Sequence, residues 1–129
     1  MNTILVEVSV GELLDKISIL EIKKEKIKES EKLQFINDEY KVLKDQLDKN
    51  VKFDEKIDKL FQSLKEINSK LWIIEDDKRL CEKNSDFSEK FIKLSRDIHF
   101  LNDNRAKIKL EINHHTGSKI KEIKKYTNY

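Results

Sequence analysis

The chain contains no proline and only two glycines, Gly11 and Gly117, in 129 residues. Those two residue types are the usual helix breakers and turn makers, so their scarcity favours long helices over a sheet-and-turn protein. Charged residues make up 40% and apolar residues 37% of the chain. The Ile, Leu and Phe recur with helical period, which separates the sequence from a disordered one. Its length suits one domain, 1–129.

Apolar periodicity divides the chain. Residues 1–8 read as an extended arm, with Ile4, Val6 and Val8 on one side of a strand-like alternation. Ser9 and Glu12 fit a capping box that opens a helix over 9–49. Its first half is apolar on a wide arc: Leu13, Leu14, Ile17, Ile19, Leu20 and Ile22. Its second half narrows to a heptad seam of Leu33, Ile36, Tyr40, Leu43 and Leu47. A second helix is expected over 54–82, with the seam Leu60, Leu64, Ile67, Leu71, Ile74, Lys78 and Cys81. A turn at Asn84–Asp86 leads to a third over 87–113, with the seam Phe87, Phe91, Leu94, Ile98, Leu101, Arg105, Ile108 and Ile112. The tail, 114–129, reads as a short helix or an extended arm with Tyr126 and Tyr129 as candidate anchors. Short connections make successive helices antiparallel. The expected fold is all-α: an elongated three-helix bundle with a long first helix. Its wide arc has more apolar surface than two partners in one chain easily cover, which predicts a homodimer.

Arg105 occupies a seam position where the other seven residues are Phe, Leu or Ile. The chain holds 24 Lys and only three Arg, at 79, 96 and 105. An arginine in a chain that otherwise uses lysine suggests a need for the guanidinium fork, which grips a carboxylate or phosphate through two bonds. Beside Arg105 runs a stripe stepping by threes and fours, Ile92, Ser95, His99, Asn102, Ala106, Lys109 and Asn113, polar or small after Ile92 and flanked by Arg96 and Asp103. The preceding helix carries Trp72, Glu75, Asp76 and Arg79 at helical spacing. The structural reading pairs Arg105 with Glu12, Asp15 or Asp103 as a register-fixing ion pair. The functional reading makes Arg105, Arg96, Asn102, Lys109, His99, Arg79, Glu75 and Trp72 a candidate site for an anionic metabolite between helices.

Other chemistries are disfavoured. Basic and acidic residues number 27 and 25, leaving +2, and they interleave, which argues against a nucleic-acid partner. Cys81 is alone, and His114 and His115 are adjacent, so neither a disulfide nor a good metal pair arises. No phosphate-binding, dinucleotide-binding or hydrolase motif is present, and no cofactor is expected. The start, MNTILVEVSV, has no basic region, and no run approaches the ~18 apolar residues of a membrane span. A cytoplasmic protein without a membrane association is expected.

The blocks VSVGELLDKISILEIKKEKI, LWIIEDDKR and FIKLSRDIHFLNDNRAKIKLEIN resemble a family of small uncharacterised bacterial and phage proteins, a domain of unknown function. The resemblance covers nearly the whole chain. It implies no activity; its implied context is surface-polysaccharide metabolism. A fainter similarity is to the all-α chorismate mutases, which also use a long first helix, but the helix over 9–49 has no arginine and nothing carries across. Two functions fit the sequence. One is a non-catalytic binding or accessory module acting as a homodimer, with itself or a protein as partner. The other is a small enzyme or sensor in which Arg105 and Arg96 hold an anion, Asn102 and Lys109 orient it, and His99 or Glu75 moves protons.

Overall fold

A computed structural model of the chain describes residues 2–127. It contains four helices: α1 (Val10–Lys26), α2 (Ser30–Asn50), α3 (Glu55–Lys83) and α4 (Glu89–Thr116). Ser9 caps α1 as its sequence implies, its hydroxyl accepting the Glu12 N–H at 3.0 Å. Asp54 caps α3 in the same way, accepting the Ile57 N–H at 2.8 Å.

The single helix expected over 9–49 is two. Ile27 and Glu29 are extended, and α2 folds back along α1, so that the Tyr40 hydroxyl donates to Glu21 at 3.2 Å. The reason is apolar surface. Folding back brings Tyr40, Leu43 and Leu47 against the cluster that holds Leu14 and Ile17. Full burial of such a side chain is worth about 1.5–3 kcal/mol; Leu47 is buried and Tyr40 and Leu43 partly so, and together they offset a few broken helical hydrogen bonds at about 1 kcal/mol each. The charge pattern suits the break. Lys23, Lys24 and Lys26 complement the C-terminal end of α1, and Glu29 and Glu31 the N-terminal end of α2.

α3 and α4 form an antiparallel hairpin. His115 meets Asp54 at one end (2.7 Å), and the Lys78 ammonium lies over the Phe91 ring near the other. Both helices close with the same backbone device. Ser118 donates to the Asn113 carbonyl and Gly117 to that of His114, with Gly117 left-handed at φ 66°. Asp86 likewise donates to Cys81 and Ser85 to Glu82, with Ser85 left-handed at φ 52°.

α1 packs on each of the other helices. Leu14, Ile17, Leu47, Ile57, Phe61, Leu64 and Ile112 form one core drawn from all four. The wide arc of α1 is thus covered within the chain: Leu14, Ile17, Leu20 and Ile22 are all buried. That removes the reason the sequence gives for a dimer through the first helix. The α1–α2 pair covers only the open end of the hairpin. Between Trp72 and Glu111, Cys81 alone of the hairpin residues is buried. Among the described residues there is no strand; Ile4, Leu5 and Val6 of the arm lie exposed. Among the described residues the tail has no helix beyond Thr116, Tyr126 is half-exposed, and Tyr129 lies outside the described residues.

Candidate functional site

α1 carries Asp15 and Ser18 on the face it shares with Leu14 and Ile17, and all four side chains are buried. An ionised carboxylate there needs a cation and full hydrogen bonding. α4 supplies the cation. Arg105 sits where the hydrophobic seam crosses α1, and its fork closes on Asp15, Nε to Oδ1 at 3.0 Å and Nη2 to Oδ2. α3 supplies the rest. Asn68 Nδ2 donates to Asp15 Oδ1 and to Ser18 Oγ, each at 2.8 Å, and Ser18 donates back to the Asp15 carbonyl at 2.7 Å.

A second cation stands one turn along α4. Lys109 Nζ reaches Glu12 at 2.6 Å, Glu122 of the tail at 3.2 Å and Asp15 at 3.8 Å. Burial by itself pulls the Lys109 ammonium down. The hydrogen bond to Glu12 and the charges of Asp15 and Glu12 outweigh it and leave the group raised. The Arg105 guanidinium is also raised, first by its hydrogen bonds to Asp15 and against the cost of burial. Glu12 is therefore only half of the expected capping box: its N–H is capped by Ser9, while its carboxylate goes to Lys109 and Lys16.

Backbone contacts lock α1 to the end of α4. Gly11 N–H donates to Asn113 Oδ1 at 2.7 Å, and Val10 N–H to Ser118 Oγ at 3.2 Å. The helices approach so closely that a Cβ on Gly11 would stand 2.5 Å from the Lys109 carbonyl oxygen. Glycine is needed here for space, since its backbone is ordinary helix.

The eight candidate residues do not converge on one cavity. Arg105, Lys109 and Asn102 lie together, with Asn102 Oδ1 3.5 Å from Arg105 Nη1, and Glu75 is close enough for its charge to act on Arg105. Arg96 lies farther along α4 with its guanidinium over the Phe100 ring. His99 and Arg79 are exposed on the hairpin, and Trp72 is half-buried. Arg105 takes Asp15 from among the three acids that its position allowed. Asn113, on the same polar stripe of α4 as Asn102 and Lys109, joins the cluster through Gly11, and Asn68, Ser18 and Gly11 complete it although periodicity does not mark them. The available signal was a polar side chain inside an apolar rhythm: Asp15 between Leu14 and Ile17, Ser18 between Ile17 and Ile19, and Asn68 between Leu64 and Leu71.

Among the described residues, every buried side-chain nitrogen and oxygen has a hydrogen-bond partner. An open groove of about 220 Å³ lies between α4 and the tail, lined by Lys109, Asn113, Glu122, Ile123 and Tyr126. No three His, Cys, Asp or Glu side chains among the described residues are grouped to hold a metal. No helix there is long and apolar enough to cross a membrane.

The model of a family of unknown function (DUF6165) matches residues 4–129. The chain belongs to that family. The match takes in the arm from Ile4 and the tail as well as the four helices, so the DUF6165 unit includes the strap that brings Glu122 to Lys109. No curated protein and no solved structure matches the chain.

Proposed function

We propose that this DUF6165 protein is a non-catalytic interaction module. In it, α1 and α2 brace one end of the α3–α4 hairpin and the rest of the hairpin serves as the binding limb. The observation that carries this reading is the satisfaction of the polar cluster: Asp15 takes the Arg105 fork on its two oxygens and the Asn68 amide on Oδ1, and no buried side-chain nitrogen or oxygen among the described residues lacks a partner. A site that waits for an anion keeps donors aimed at empty space. Here the donors are taken by the chain's own carboxylates. The limb is the opposite case: a seam of large apolar residues with no helix laid across it.

A thermal-shift screen of the full chain against sugar phosphates and dicarboxylates tests this. A ligand at a hundred times its Kd adds about 2.7 kcal/mol to stability, which is a shift of several degrees. The expected result is no saturable shift from any member of the panel. A saturable shift that disappears in Arg105→Lys would establish the anion-binding alternative instead.

A further inference from the structure

Ile73, Asp77 and Leu80 of α3 step by four and three residues, and so do Lys93, Asp97 and Phe100 of α4. Each set precedes its helix's seam by one residue: Ile74, Lys78 and Cys81 on α3, and Leu94, Ile98 and Leu101 on α4. In an antiparallel pair, a step of one residue turns both helices toward the same side, so the two sets share one face of the limb. Asn68 and Lys109, which meet α1, follow the seam by one residue and so mark the other face. The first face is therefore clear of α1 along its whole length. On it Ile73 is 52% exposed, Leu80 49% and Phe100 42%.

We infer that this face binds a second copy of the chain. Three observations favour that occupant. First, the chain exposes 9622 Å². A compact protein of its 15.4 kDa would expose roughly 7,200 Å². Part of the surplus, roughly 2,400 Å², lies on the exposed arm and tail; the whole is about three times the ~800 Å² per partner that a stable interface of standard size takes. Second, the face carries opposite charges at one height: Lys93, which holds Asp97 of its own helix at 2.7 Å, can also reach an acid across the interface. Lys78 over Phe91 and Asp54 against His115 set the hairpin register, which puts Asp77 within one residue of the height of Lys93. A two-fold axis along the hairpin lays α3 of one copy on α4 of the other at constant height, so Asp77 meets the partner's Lys93 twice. Third, Ile73 and Leu80 flank that pair on either side, and four limb helices then enclose the half-buried seam as a bundle. This inference rests on the limb being the binding element.

Sedimentation equilibrium on the full chain tests it. The parent is expected at twice 15.4 kDa. Ile73→Glu combined with Leu80→Glu is expected to run as a monomer with unchanged helical circular dichroism; both side chains are half-exposed, so the fold does not depend on them. Asp77→Lys and Lys93→Asp are each expected to weaken the dimer about tenfold or more, and the double reversal to restore it, as paired charges do across an interface. A parent that stays monomeric overturns the inference, as does a dimer indifferent to these changes. So does dissociation by Phe35→Glu on the outer face of α2. Metabolite binding in the thermal screen would instead overturn the module reading, and it leaves the measured mass unaffected, so the two failures are distinguishable.

Discussion

Asp15 is 2% exposed and Arg105 29%. The carboxylate has given up its water almost completely, whereas the guanidinium keeps an edge in solvent. That asymmetry sets the consequence of breaking the pair. Removing Arg105 leaves a buried carboxylate with one amide and a lysine 3.8 Å away. Arg105→Leu restores the apolar seam, yet it is expected to lose about 3–5 kcal/mol, the usual cost of an orphaned buried charge. Adding Asp15→Ala should return part of that loss, because the orphan is then gone. Urea unfolding at equal protein concentration reads both, and an Arg105→Leu chain as stable as its parent would show that the ion pair does not hold the fold. Periodicity was enough to mark Arg105 as an intruder in an apolar row. It could not choose Asp15 over Glu12 or Asp103, because that choice depends on the heights at which α1 and α4 cross. Asn68 escaped notice for a related reason: it lies one position round from Ile67, and only the crossing of α1 brings that position inside.

At the level of elements, the two later helices were legible, α3 to within one residue at each end and α4 to within three. They have strong starts and stops: Asp54 before α3, Asn84–Asp86 after it, Gly117 after α4. The break between α1 and α2 is not marked by any glycine or proline; the apolar pattern only thins there, with Ile27 alone between Ile22 and Leu33. Its trace is in the charges, lysines running into Glu29 and Glu31. The two readings of this segment differ sharply at Ser30. In a continuous helix, proline at residue 30 would remove a hydrogen bond and clash with the preceding turn, at about 3 kcal/mol or more. At the first position of α2 its fixed φ is already suitable, and Glu29 before it holds φ −66° and ψ 120°, the region a residue preceding proline prefers. Ser30→Pro is therefore expected to change stability by less than about 1 kcal/mol. Thermal melts of the variant decide it, and a loss near 3 kcal/mol would restore the single long helix.

At the scale of the molecule, stability is concentrated at one end. Leu14, Ile17, Leu64 and Ile112 are fully or almost fully buried where all four helices meet, and the buried Asp15 cluster lies in the same layer. The limb has a two-helix seam alone, with Phe91, Leu94, Ile98 and Leu101 each half-buried. An isolated pair of helices opens more readily than a four-helix layer, because fewer apolar contacts are lost in opening it. Amide exchange should therefore follow the long axis of the hairpin. Amides near Leu64 and Ile112 are expected to exchange only through global unfolding. Those of residues 73–80 and 93–100 are expected to exchange faster in the Ile73→Glu/Leu80→Glu chain. If a second copy covers the limb, raising the concentration of the parent slows the limb amides and leaves the four-helix end unchanged, because the end is already protected within each chain. Equal protection at both ends in the monomeric variant would contradict this distribution of stability. A limb insensitive to concentration in the dimeric parent would place the contact elsewhere.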